Sequence, residues 1–153
     1  MKYEVTVKII PAQQVLSLTH RVTVDKLDVT IRESLTTLAT LSNQQNANAD
    51  AAPLGIYYGA INMQEDGPIE ICLPVNGHVA VEGNVVLKEL AGGKAASVAL
   101  VGNQCEFPEI LNGYDAAADW IQKNGYETAG PPREVWYTGP GPDAKWEIVW
   151  VFK

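Results

Sequence analysis

Laid against itself at an offset near 80, the chain matches landmark for landmark. Val5 falls on Val86, Asp25 on Phe107, Pro53 on Pro132 and Glu70 on Glu147, at offsets of 81, 82, 79 and 77. The matched prolines open matched segments, PLGIYYG and PREVWYT, and IEICLPV lines up with WEIVWVF. Such a period is too long for a solenoid, whose repeats run to roughly 20–50 residues. It fits two copies of one supersecondary unit inside a single domain.

The hydrophobic pattern supplies the elements of that unit. Tyr3, Val5, Val7 and Ile9 alternate with Glu4, Thr6 and Lys8, the period of a half-buried strand, and Pro11 closes it. Val15 to Val22 continues as a second strand. Val24, Leu27, Ile31, Leu35 and Leu38 then recur at three- and four-residue spacing, which predicts a helix with Asp25 as N-cap and an end near Ser42. A polar loop spans 43–52, and LGIYYGAI and PIEICLPV follow as strands three and four. The order then repeats. Val85 to Leu90 and Ala95 to Val101 read as two strands joined by a hairpin turn, AGGK. Phe107, Ile110, Leu111, Tyr114, Ala117, Ala118 and Ile121 form a second helical stripe, stopped by Asn124-Gly125. REVWYTG and KWEIVWVF are strands seven and eight. The expected fold is α+β: duplicated ββαββ units with pseudo-twofold symmetry, an antiparallel eight-stranded sheet and two helices on one face. It makes one domain over 1–153, with repeat 1 at about 1–80 and repeat 2 at about 83–153.

Composition removes several function classes. With 18 acidic against 11 basic residues the formal charge is −7, a poor match to phosphate backbones, so no direct nucleic-acid contact is expected. No apolar run approaches the ~20 residues that span a bilayer, and the amino-terminal alternation is that of a strand, not a signal peptide. Cys72 and Cys105 are too few for a disulfide scaffold or a cysteine metal site, and His20 and His78 have no spaced partners. The expectation is a cytoplasmic protein with reduced thiols, no metal and no cofactor. GPGP at 139–142 is a turn, because no helix and no Lys-Ser/Thr follows it.

The third strand of each repeat carries the chemistry. Side chains alternate along a strand, so Glu134 and Trp136 share one face while Val135 and Tyr137 share the other. At the offset of 79, Glu134 corresponds to Gly55, Trp136 to Tyr57 and Tyr137 to Tyr58. One repeat puts a carboxylate where the other has no side chain, and aromatic rings flank both spots. An acid in an aromatic-lined gap suits an organic cation, each ring face adding ~0.5–2 kcal/mol. The plainer alternatives are a solvent-facing strand Glu, or one paired with Arg133 or Lys145, and aromatic doublets that are simply core. Trp120, off the buried helix stripe, and Tyr126, just past the helix end, are further ring candidates. The candidate ligand-binding set is Glu134, Tyr57, Trp136, Gly55, Trp120, Tyr126 and Tyr137.

The stretch from Val101 to Tyr137 resembles the second half of the GyrI-like small-molecule-binding domains, which include the drug-binding domains of MerR-type and AraC-type multidrug regulators. The matching residues are Gly102, Phe107, Tyr114, the Trp120-Ile121 pair, Asn124-Gly125, and Glu134-x-Trp136 after a proline; PLGIYY matches in the first half. The resemblance implies a duplicated α/β sandwich with a ligand groove, and a buried Glu, here Glu134, that meets positively charged lipophilic drugs. Leu100 stands where the family usually has His, and Asn103-Gln104-Cys105 replaces the usual Gly-Pro-Tyr, so those polar wall contacts are not carried over. No helix-turn-helix precedes the first strand, which points to a stand-alone domain. The first expectation is a binding domain for lipophilic cations. The rivals are a hydrolase of reactive electrophiles, with Glu134 as general base and Tyr57 or Tyr137 as proton donor, and a protein-partner module resembling gyrase inhibitors. Oligomeric state stays open.

Overall fold

The alternating stretches become strands and the helical stripes become helices in the computed structural model, which describes residues 3–153. The elements are β1 (Val5–Ile10), β2 (Gln13–Val22), α1 (Val24–Gln44), β3 (Leu54–Tyr57), β4 (Gly67–Pro74), β5 (Val86–Leu90), β6 (Gly93–Val101), α2 (Ile110–Lys123), β7 (Arg133–Trp136) and β8 (Lys145–Val151). A 3-10 turn, Gly102–Cys105, leads toward α2. The expected α+β class, with antiparallel strands and two helices, is the class the chain adopts.

The chain forms two compact units. The inner unit is Ala12–Ala91; the split unit joins the described residues up to Pro11 with Gly92–Lys153. In the inner unit the strand order is β3-β4-β2-β5, and α1 packs on β4 and β2. In the split unit it is β7-β8-β6-β1, and α2 packs on β6 and β8.

The registers of the two units correspond. Val15 pairs with Lys88 and Ser17 with Val86 in the inner unit; Ala95 pairs with Lys8 and Ser97 with Thr6 in the split unit. Gly55 faces Ile71 and Ile56 faces Glu70; Glu134 faces Ile148 and Val135 faces Glu147.

Five local expectations change. β5 and β6 do not form a hairpin: β5 pairs with β2, and β6 pairs with β1 and β8. Closeness in sequence permits pairing, but side-chain fit across the strands selects the partner. β1 is therefore seated in the split unit while β2 is in the inner one, and β5 in the inner unit while β6 is in the split one. The N-cap of α1 is Thr23, not Asp25. Asp25 lies in the first turn, where a negative charge complements the helix dipole, and accepts a bond from the Thr23 hydroxyl. The α1 helix runs on to Gln44, into the stretch expected to be loop. The second helix starts at Ile110, leaving Phe107 and Pro108 in the lead-in, since proline has no N–H to give to a helix interior. Finally β3 stops at Tyr57, and the chain turns back so tightly that a Cβ on Gly67 would sit 2.2 Å from the Ala60 carbonyl oxygen.

Each unit has its own core. Val98, Leu100, Ile110, Ala117, Ile121, Ile148 and Phe152 pack together in the split unit. Gly113 lets α2 approach closely there: a Cβ would meet Ile148 Cδ1 at 2.9 Å. Val15, Leu16, Leu38, Ile69 and Ile71 are fully buried in the inner unit. Each large aliphatic side chain so buried contributes about 1.5–3 kcal/mol.

Candidate functional site

Residues facing each other across paired strands point to the same side. Glu134 faces Ile148, whose tip lies at α2, so Glu134 and Trp136 are on the helix-covered face of the split unit. Glu134 is 4% exposed and Trp136 6%. The Trp136 indole N–H donates to Glu134 Oε1 at 2.9 Å. The Tyr114 hydroxyl, from the middle of α2, donates to Oε2. Each carboxylate oxygen thus holds a neutral donor, and neutral donors stabilise an anion without cancelling its charge. Cys105 is close enough to feel that charge: burial first, then Glu134 and Glu106, hold its thiol up at about 11 despite a backbone bond from Trp146. Cys105 therefore stays protonated and inert at neutral pH.

Of the other candidates, Trp120 and Tyr126 come together at the far end of α2. Their rings stack with centroids 6.2 Å apart and planes at 18°, and Phe152 tilts against both at 5.5 and 4.6 Å. Tyr126 is 44% exposed, so this ring group opens to solvent. Gly55 and Tyr57 lie on β3 of the inner unit, at register positions equivalent to Glu134 and Trp136. The Tyr137 hydroxyl donates to Glu147 at 2.5 Å, on the opposite face of the strand from Glu134.

That opposite face carries an arrangement the sequence reading missed. Glu147 is buried and accepts from Lys8, Ser97 and Tyr137. In the inner unit, Glu70 is buried and accepts from Tyr58 at 2.5 Å and from Lys88 at 2.9–3.0 Å, with Ser17 also bonded to it. The two sets match residue for residue: Glu, Tyr, Ser and a Lys from the edge strand. Burial pushes both carboxyls up, but for Glu147 the bonds from Lys8, Ser97 and Tyr137, and for Glu70 those from Tyr58, Ser17 and Lys88, outweigh it. Both end below the ordinary carboxylate value. The Tyr137 phenol is pushed the other way, to about 12, by burial and then by the bond and charge of Glu147. The offsets Ser17 to Ser97 and Lys8 to Lys88, both 80, were the signal that could have found these sets.

A cleft of about 570 Å³ opens in the split unit between Tyr3, Asn103, Gln104 and one face of α2 (Glu109, Asn112, Asp115, Ala116, Asp119). Glu134 is not among its walls. Among the described residues no group of three or more His, Cys, Asp or Glu side chains could hold a metal ion. No helix among them is long and apolar enough to cross a membrane.

Comparison with known proteins gives a consistent picture. The chain superposes on the EcmrR C-terminal domain with a TM-score of 0.80 at 21% identity, covering 100% of this chain and 99% of that one. EcmrR in its complex with DNA matches at 0.77 and 20%, covering 99% of this chain and 57% of that one. A protein described as a hydrolase from Listeria innocua matches at 0.70 and 10%, covering 98% and 92%. SAV2435, bound to tetraphenylphosphonium, matches at 0.66 and 13%, covering 100% and 94%. At these identities the likenesses establish the fold. No curated protein matches the sequence. The model of the GyrI-like small molecule binding domain matches residues 3–150. The chain belongs to the GyrI-like small-molecule-binding domain family.

Proposed function

We propose that this chain binds lipophilic organic cations, with Glu134 as the counter-charge and Trp136 as the principal ring contact. The observation that carries the proposal is a carboxylate buried to 4% exposure on the helix face of a small-molecule-binding domain, with a phenol and an indole among its partners. Burying a charge is expensive, and a cation arriving beside Glu134 recovers part of that cost. The ring pair of partly buried Trp120 and exposed Tyr126 offers a second flat surface to aromatic ligands. Gly55 and Tyr57 hold the equivalent register positions of the inner unit, where the first of them supplies no carboxylate. SAV2435, of the same fold, holds tetraphenylphosphonium, a permanent cation wrapped in rings.

Titration calorimetry with tetraphenylphosphonium and with neutral triphenylphosphine oxide tests this. The cation binds and the neutral compound binds much more weakly. Glu134→Gln loses ~1.5–3 kcal/mol toward the cation, roughly 10- to 150-fold in Kd, and leaves the neutral compound unchanged. Equal affinity of parent and variant for the cation removes Glu134 from the site.

A further inference from the structure

β1 is an edge strand: among the described residues it pairs with β6 alone. Its outer side therefore presents unpaired backbone N–H and C=O groups, which invite another strand. Natural edges are commonly guarded by an exposed lysine, a proline or a bulge. Here the residues Val5–Ile10 contain no proline, and all six pair with β6 in unbroken register. The strand's one charge, Lys8, pairs with buried Glu147 while its own side chain stays 46% exposed. On the helix-bearing face Val7 is 48% exposed and Ile9 80%, the most exposed large hydrophobic side chain among the described residues. The edge thus carries a single charge, already engaged within the chain, beside two exposed aliphatic side chains.

We infer that β1 pairs antiparallel with β1 of a second copy of this chain, about a twofold axis through Thr6, making an isologous dimer. The register follows from the sequence. An axis through Thr6 sets Tyr3 against Ile9 of the second copy, Glu4 against Lys8, Val5 against Val7, and Thr6 against Thr6. Every pair is favourable across antiparallel strands: aromatic with β-branched, acid with base, aliphatic with aliphatic, and threonine with threonine. Moving the axis to Lys8 opposes two lysines, and moving it to Val7 puts Glu4 against Ile10. Only the Thr6 register opposes Glu4 to Lys8. Glu4 is exposed, and an ammonium has three donors, so Lys8 can serve Glu147 and Glu4 of the second copy together. The pairing also covers Ile9 with the Tyr3 ring. Self-complementarity is what an isologous contact needs, because each residue is met by its own counterpart in reverse.

Sedimentation velocity and light scattering across a wide concentration range test this on the full chain. The expected species has twice the 16.6 kDa chain mass. Ile9→Lys and Glu4→Lys change exposed side chains, so the circular dichroism of the folded chain stays at the parent's, while the melting midpoint falls only at concentrations where the parent is dimeric. Each raises the dimer dissociation constant roughly tenfold or more, since each pair occurs twice per dimer. Thr6→Cys under mild oxidation forms a covalent dimer, because Cys72 and Cys105 are buried and the two Thr6 positions meet at the axis. Ile9→Cys, far from the axis, crosslinks poorly. A monomer at all concentrations overturns the inference, as does a dimer indifferent to both substitutions, or equal crosslinking by Thr6→Cys and Ile9→Cys. Assembly beyond a dimer means head-to-tail pairing of β1 with a different edge strand, such as β5, and overturns the isologous register. None of these outcomes depends on cation binding.

Discussion

At the scale of single residues, the chemistry lies in what surrounds three carboxylates. Glu134 accepts from a phenol and an indole, and Glu70 and Glu147 each accept from a lysine, a serine and a tyrosine. A carboxylate that has lost a hydrogen-bond donor in a buried setting bears the desolvation cost of the vacant site, ~1–3 kcal/mol. Tyr114→Phe is therefore expected to destabilise the protein by about 1–2 kcal/mol at neutral pH. Much of that loss should disappear in Tyr114→Phe/Glu134→Gln, because the charge that needed the hydroxyl is gone. Urea unfolding of the two single variants and the double variant measures the coupling, and additive losses would mean that the hydroxyl does not serve Glu134. Glu134 and Trp136 were legible in the sequence because a strand's alternation fixes which neighbours share a face. Tyr114 was legible as a member of the second helical stripe and as a family landmark, but not as a partner of Glu134. Its contact joins a helix to a strand 20 residues on, and no short-range pattern encodes that packing.

At the scale of elements, all ten segments were legible from period and punctuation, but their partners were not. The alternation of Val85–Leu90 and Ala95–Val101 is what a hairpin would show, yet β5 is seated on β2 and β6 on β1. What tells the two pairings apart is the lysine on each edge strand. Lys88 stands opposite Val15 and reaches Glu70; Lys8 stands opposite Ala95 and reaches Glu147. Because Lys8 and Lys88 side chains are 46% and 36% exposed, solvent screens part of each attraction, while both acids remain buried. Removing either lysine leaves a buried carboxylate with hydroxyl donors alone. Lys8→Met and Lys88→Met are each expected to cost about 1–2 kcal/mol, below the 3–5 of a fully buried pair. The two losses should be similar, since the surroundings match. Denaturation at one fixed protein concentration checks this. A negligible cost for both would mean that backbone pairing alone holds the edge strands.

At the scale of the whole molecule, these paired acids make stability depend on pH in a direction that can be worked out. Glu70 and Glu147 have folded values below their ordinary carboxylate value of 4.5, so the unfolded chain binds protons there before the folded one does. Their contribution is present above that value and is lost as pH falls through the lower folded ones. One such acid sits in each unit, so acid weakens both. Tyr137 behaves oppositely, with a folded value raised from 10.0 to about 12. Its contribution is complete below pH 10, since the folded protein keeps a proton that the unfolded chain gives up, and it fades as pH climbs toward 12. The melting midpoint should therefore fall on the acid side below the carboxylate range and, separately, on the alkaline side between those two phenol values. Glu147→Gln should flatten the acid limb relative to the parent, because one depressed carboxyl is gone, and Tyr137→Phe should flatten the alkaline limb. An acid limb of unchanged slope in Glu147→Gln would show that the ion pair with Lys8 contributes nothing to the folded state.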